Sequence, residues 1–293
     1  MEIRTLKYFL AVAREENITR AAKFLHITQP TLSRQLMQLE EELNAQLFIR
    51  GKSRITLTDE GMLLRRRAEE IVDLAEKTEK EFLEYDNLIT GEIFIGGAET
   101  YAMHILAKVI KEFKEEYPQI KYHLYSGNAD DIKEKIDRGL LDIGLLVEPV
   151  DIEKHEFIRL DYQEVWGILA PKDSPIANQQ TVSPEDLIDL PLLGSRRLIL
   201  QNELSNWFGD DYENLNIIAT YNLIYNAAIM VAEGIGYAIT CQKVVNNLDD
   251  TNTVFIPFAP TLKTGIVLVW KKHQVFSPAT TRFIEKLKNT LKK

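Results

Sequence analysis

The chain has 293 residues, a formal net charge of −9, 45% hydrophobic and 27% charged residues, and a single cysteine. That length leaves room for more than one domain and a sizeable core, and the lone Cys241 excludes an intrachain disulfide or a multi-cysteine metal site. Residues 1–67 hold 12 Lys or Arg against 8 Asp or Glu, a balance of +4 that leaves −13 for the remainder, so a basic head, of the sign that nucleic-acid binding requires, precedes an acidic body.

Residues 2–14 (EIRTLKYFLAVAR) predict a helix with Ile3, Leu6, Phe9, Leu10 and Ala13 on one side. A short helix follows over Thr19 to Leu25, with Ala21, Ala22 and Leu25 inward, and the small alanines let another helix cross closely. After the tight His26-Ile27 turn, Thr28 to Leu43 (TQPTLSRQLMQLEEEL) reads as a capped helix. Thr28 is the N-cap and Pro30 sits in the first turn, where a missing N–H costs nothing. Leu32, Leu36, Leu39 and Leu43 recur at helical spacing and form a face to be buried. The opposite face carries Gln29, Thr31, Ser33, Arg34 and Gln35, groups able to bond base edges or phosphates. Two short helices joined in this way make a helix-turn-helix. Leu47 to Arg50 and Ile55 to Leu57 then read as two short strands around Gly51-Lys52-Ser53, a wing. Arg50, Lys52 and Arg54 stand where a wing meets the DNA backbone or minor groove. A solvated basic turn is the alternative for Lys52.

Thr58-Asp59-Glu60 opens the next helix with a cap and two acids against the positive end of the dipole. Its apolar positions Leu64, Ala68, Ile71, Ala75, Thr78, Phe82, Tyr85 and Ile89 alternate four and three, a heptad seam that asks for a partner helix. Packing on the chain's own next domain is the alternative. Arg65, Arg66 and Arg67 are either phosphate contacts or an exposed charge run. From Gly91-Glu92 onward strands and helices alternate. Strands are expected at 93–95, 120–125, 142–147, 165–170, 216–220, 237–240, 254–256 and 265–270, and helices at 101–116, 129–138, 184–190, 223–233 and 277–291. Strand, helix, strand at these spacings implies parallel pairing with helices on the faces.

The segments TRAAKFLHITQPTLSRQLMQLEEEL from Thr19, LFIR from Leu47 and ITLTDEG from Ile55, with Met230-Val231-Ala232-Glu233-Gly234-Ile235-Gly236 far downstream, resemble the LysR-type transcriptional regulators over essentially the whole length. The resemblance implies a multidomain fold. An N-terminal all-α winged helix-turn-helix (1–58) and a long linker helix (59–90) precede a C-terminal α/β effector domain (91–293). That domain is two-lobed, like a type 2 periplasmic binding protein, with lobe I at 91–161 and 267–293 and lobe II at 162–266. It also implies that the linker helix pairs two subunits through Leu64, Ala68, Ile71, Ala75 and Phe82, giving a homodimer or homotetramer on double-stranded promoter DNA. RNA polymerase is a further possible partner. Thr28, Gln29, Pro30, Thr31, Ser33, Arg34, Arg50, Lys52 and Arg54 are the expected DNA contacts.

A small-molecule effector would occupy the cleft at the C-terminal ends of the strands. The matching positions are Glu99, Thr100 and Tyr101 in the first turn, Gly127 and Asn128 in the second, Val147 with Glu148 at the third strand's end, and Trp166, Ser195, Arg197 and Asn222 on lobe II. Many relatives carry hydroxyls where this chain has Glu99. The favoured reading has Glu99 complementing its own helix dipole and facing water, and the alternative has it facing the cleft and preferring an amine. Asn128 is a cap or a cleft contact, and Ser195-Arg196-Arg197 an anion holder or a surface run. Gly234 fits a helix stop and Gly236 a close approach. Cys241, in GIGYAITCQK, reads as a buried inert thiol, with a redox sensor the alternative.

Dispersed histidines and the lack of a nucleophile turn, a phosphate loop or HExxH point away from an enzyme and from any resident cofactor or metal. No apolar run is long enough to span a bilayer, and MEIRTLKYF has neither the apolar core nor the cleavage site of a signal peptide, so a cytoplasmic protein without membrane association is expected. The expected function is sequence-specific regulation of transcription, modulated by the effector. The rivals are a cytoplasmic solute-binding module whose head binds protein, and an enzyme on an α/β scaffold.

Overall fold

The computed structural model describes residues 1–51, 54–83, 90–196, 204–244 and 252–291, without the side chains of Arg50 and of residues 80–83. Lys52, Arg197, Tyr85 and Ile89, and the side chains of Arg50 and Phe82, therefore lie outside the described residues. The chain divides into two units, Met1–Asn87 and Leu88–Lys293.

The first unit runs α1 (Ile3–Glu15), α2 (Ile18–Phe24), α3 (Gln29–Leu43), β1 (Phe48–Arg50), β2 (Ile55–Leu57) and α4 (Asp59–Leu83). Local chemistry starts the helices. The Asn17 side chain accepts from Arg20 N at 3.0 Å, Thr28 Oγ1 accepts from Thr31 N at 3.4 Å, and Thr58 Oγ1 accepts from Gly61 N at 2.9 Å. α3 stops at Asn44, whose φ of 47° is left-handed. Glu40 Oε1 then receives Leu47 N at 2.8 Å and Phe48 N at 3.2 Å, which fixes the entry to the antiparallel β1–β2 wing.

The head's core is Leu6, Phe9, Val12, Ala21, Ala22, Leu32, Leu36, Leu39, Leu47, Phe48, Ala68 and Val72. Three expectations are corrected here. Ile3 (45% exposed) and Leu43 (39%) lie at the edges of their helices outside the core, and Leu10 and Ala13 are half-buried. α1 instead buries Thr5, Leu6, Phe9, Ala11 and Val12. On α4, Leu64, Ala68 and Val72 pack into the head of their own subunit, with Leu64 half-buried and Ala68 fully buried, so Ala68 has no free surface to offer another helix. The apolar residues α4 leaves exposed are Met62, Leu63, Ile71 and Leu74. Of these, Leu63, Ile71 and Leu74 share a stripe roughly a quarter turn from the docked face, at about 100° per residue.

The second unit comprises β3 (Gly91–Gly97), α5 (Met103–Glu116), β4 (Ile120–Ser126), α6 (Ala129–Asp137), β5 (Ile143–Val147), β6 (His155–Pro171), β7 (Leu192–Ser195), α7 (Ser205–Phe208), β8 (Ile217–Tyr221), α8 (Ile224–Ala232), β9 (Tyr237–Cys241), β10 (Thr253–Pro257), β11 (Lys263–Lys271) and α9 (Pro278–Leu291). β3 pairs in parallel with β4 and β5, as helical crossovers require.

The strands join in the order β4-β3-β5-β11-β6-β9-β7-β8, with β10 on β6. β6 and β11 are long antiparallel partners, Val165 opposite Lys263 and His155 opposite Lys271. From Trp166 onward β6 pairs instead with β9, and from Gly167 with β10. A Cβ at Gly167 would stand 2.2 Å from Ile256 O, so glycine permits the β10 strand to approach. One core collects residues between Ile93 and Leu160 with Ile266 to Leu287, and another those between Trp166 and Phe258, so β6 and β11 carry the chain between two lobes.

The helix expected at Pro184 to Leu190 is a run of turns. Asp186 Oδ2 takes both the N–H and the hydroxyl of Ser183, at 2.8 and 3.0 Å, the contact that opens a helix, but the chain continues only as turns up to Pro191. β7, α7 and the first half of β6 are additions to the expected elements.

Candidate functional site

The exposed face of the first turns of α3 is polar, with Met37 (44% exposed) further along it, because the helix's apolar residues are largely spent on the core. Leu32, Leu36 and Leu39 are at most 1% exposed, while Gln29, Pro30, Thr31 and Arg34 face solvent and Ser33 and Gln35 are half-buried. The Thr28 and Thr31 hydroxyls bond each other at 2.8 Å. Gln29 and Arg34 make no hydrogen bond or ion pair among the described residues. Arg54 does. Its Nη2 meets Glu16 Oε1 at 2.5 Å while Ile55 N donates to Glu16 O at 3.0 Å, so one residue at the end of α1 anchors the second wing strand twice.

In the second unit a cavity of about 100 Å³ opens between the lobes. Of the positions expected there, it brings together Glu99, Gly127, Asn128, Val147, Trp166, Ser195 and Asn222. Ala98, Ala129, Tyr221, Leu223, Ile224, Thr240, Cys241 and Val244 complete the lining. Several follow from topology, since they neighbour the expected residues at the ends of β8, β9 and the start of α8. Trp166 Nε1 donates to Thr264 Oγ1 at 2.9 Å, fixing the indole by a bond between the two crossover strands.

Thr100 and Tyr101 do not line this cavity. Thr100 is 8% exposed, and its hydroxyl donates to Glu164 Oε1, which also accepts Tyr101 N at 3.0 Å. Tyr101 borders a neighbouring cavity of about 430 Å³, with Lys243 Nζ 4.4 Å from the centre of its ring. Glu164 is fully buried, also receives Tyr162 Oη at 3.3 Å, and was not among the expected site residues. In the sequence it lies in HEFIRLDYQE, a charged run without a binding pattern.

Glu99 also differs from its favoured reading. It does not simply face water beside its own helix. Its Oε2 reaches across the cleft to Ile224 N at 2.6 Å, where α8 begins without a side-chain cap of its own. Asn128 both lines the cavity and caps α6, with Oδ1 accepting Asp130 N at 2.9 Å and Asp131 N at 3.0 Å. Glu148, at the end of β5, pairs with Arg159 at 3.0 Å. Ser195 is half-buried on the lining and Arg196 is exposed beside it.

Burial, reinforced by the charge of Glu164, holds the Cys241 thiol well above its ordinary range. The reactive thiolate is disfavoured, as an inert thiol requires. Among the described residues no group of three or more His, Cys, Asp or Glu could hold a metal, and no helix is long and apolar enough to cross a membrane. The arrangement is suited to gripping a small molecule between two lobes.

Residues 86–292 match the family described as the LysR substrate binding domain, and residues 3–62 match the bacterial regulatory helix-turn-helix proteins of the lysR family. The Hca operon transcriptional activator HcaR of Escherichia coli (strain K12) is 29% identical over 97% of this chain and 96% of that protein. The HTH-type transcriptional regulator BsdA of Bacillus subtilis (strain 168) is 27% identical over 97% of this chain and 99% of its own. In fold the chain is similar to CbnR, a LysR family transcriptional regulator, with a TM-score of 0.75 at 22% identity and full coverage of both chains. CbnR in complex with its target DNA gives a TM-score of 0.73 at 22% identity, over 99% of each chain.

Proposed function

The chain belongs to the LysR family of transcriptional regulators, with that family's helix-turn-helix and effector-binding domains, and on that premise we propose how its own residues divide the work. α3 lies in the major groove with Gln29 and Arg34 toward base edges, and Thr28, Pro30, Thr31 and Ser33 fix its N-terminus against the backbone. The observation that carries this reading is that Gln29 and Arg34 stand exposed and, among the described residues, unbonded on the helix whose Leu32, Leu36 and Leu39 are buried in the head. Arg50 and Lys52 supply backbone or minor-groove contacts from the wing. Arg54 is shared with Glu16 and contributes less.

Two such heads reach a dyad-symmetric site when α4 pairs with its counterpart in a second copy. Leu63, Ile71 and Leu74, exposed on α4, support this pairing, because Ala68 is fully buried at home and Leu64 packs partly there. A tetramer follows if a second kind of contact joins two dimers. The protein then works where its promoter is, in the cytoplasm, as a regulator rather than an enzyme, and RNA polymerase is its further partner when it activates. A ligand in the cleft alters promoter binding to the extent that it favours one quaternary arrangement over another.

A gel shift of the full-length chain with the DNA upstream of its own gene tests the reading. A retarded band that competitor DNA of scrambled sequence fails to remove is expected. Retention of scrambled and upstream DNA alike, or of neither, would favour a head that binds protein.

A further inference from the structure

Three helices begin beside the cleft, and at each of them the protein's own oxygens already occupy first-turn N–H groups. At α5, Glu164 Oε1 takes the Thr100 hydroxyl and Tyr101 N, and Thr100 Oγ1 accepts Ala102 N at 3.1 Å. At α6, Asn128 takes Asp130 N and Asp131 N. α8 differs, because the group on Ile224 N is the Glu99 carboxylate from the opposite lobe, 125 residues away in sequence. The neighbouring amides are also engaged: Ala98 N on Leu145 O and Gly127 N on Gly97 O, both at 3.2 Å, and Leu223 N on Asn222 Oδ1 at 2.9 Å.

A carboxylate entering this cleft would find those helix-end donors spent and a like charge beside it. Among the described lining residues Glu99 is the one charged side chain. Its second oxygen, Oε1, has no hydrogen-bond partner among the described residues, and an ionised carboxylate oxygen at a partly enclosed site calls for a donor. The rest of the lining is largely apolar, with Trp166 contributing an aromatic ring whose face attracts a cation.

From these contacts we infer that the cleft takes a small ligand bearing a protonated amine on an apolar body and turns away carboxylates, with Glu99 as the specificity-determining residue. The amine donates to Oε1 while Oε2 stays on Ile224 N, so one carboxylate links the ligand, lobe I and the first turn of α8. Binding then tightens a contact that spans the two lobes. The inference rests on the reading of this cleft as the effector site.

Calorimetric titration of the full-length protein with benzylammonium and with benzoate, equal rings of opposite charge, tests it at fixed ionic strength. The wild type should favour benzylammonium by at least about tenfold, the scale of one charged hydrogen bond. Glu99→Gln keeps an acceptor for Ile224 N and should lose that preference. Glu99→Ala frees the N–H and should gain benzoate binding. A wild type that takes benzoate as tightly as benzylammonium, or neither, or variants that leave the preference unmoved, would overturn the inference. A gel shift on the same three proteins separates the two ideas: promoter binding that survives such a result leaves the regulator reading standing, and promoter binding lost from the wild type itself removes that reading as well.

Discussion

His155 is 2% exposed, and its Nε2 lies 3.2 Å from Asp137 Oδ1 but off the direction of a hydrogen bond, so both ring nitrogens lack one. Burial lowers its pKa from 6.5, with Lys133 acting in the same sense and Asp137 and Asp151 opposing. The unfolded chain therefore binds a proton at a higher pH than the folded one, and stability rises with pH across that interval. The contribution is present above pH 6.5 and is lost as pH falls through the lower, folded value. Thermal melting at pH 7.5 and 5.5 should show a fall that His155→Leu reduces, and an equal fall in both proteins would contradict this. Thr28→Ala should cost about 1 kcal/mol through loss of the α3 cap, measured by urea unfolding. Thr28 and Asn128 were legible in the sequence because a cap bonds residues two or three positions away, and Pro30 because its fixed φ suits a helix's first turn. Glu99 with Ile224, Thr100 with Glu164 and Arg54 with Glu16 were not, since their partners lie 125, 64 and 38 residues off. No periodicity encodes such pairs.

Among elements, α4 shows how far a pattern reaches. The four-three spacing located an apolar helix, and the packing then divided it, giving Leu64, Ala68 and Val72 to the head and leaving Leu63, Ile71 and Leu74 outside. A heptad says that a face is buried and not by what. Two substitutions separate the faces. Leu74→Glu should leave the melting of the head nearly unchanged and shift the chain toward monomer in sedimentation. Ala68→Leu should overpack the head and destabilise it by about 1 to 3 kcal/mol. The strands from β3 to β5 were readable as alternating βα units. β6 was read only from Val165 onward, because His155 to Glu164 mixes charged and apolar residues without a strict alternation, and the turn run after Pro184 carried a helix-like composition that the chain does not continue as helix.

At the scale of the whole molecule, the alternation of elements made the architecture readable and the charge gradient marked the head, while the cleft's chemistry depended on which groups meet across it. A basic head on an acidic body favours duplex DNA through phosphate contacts, and those contacts carry the salt dependence without carrying sequence. On the proposed reading, sequence preference belongs to the polar residues exposed on α3. Fluorescence anisotropy of the upstream duplex and a scrambled duplex, titrated at constant salt with wild type and with Arg34→Ala, tests that claim most directly. The account predicts that Arg34→Ala weakens the upstream duplex by about 1 to 3 kcal/mol and narrows its margin over the scrambled one. An unchanged affinity and margin would contradict it.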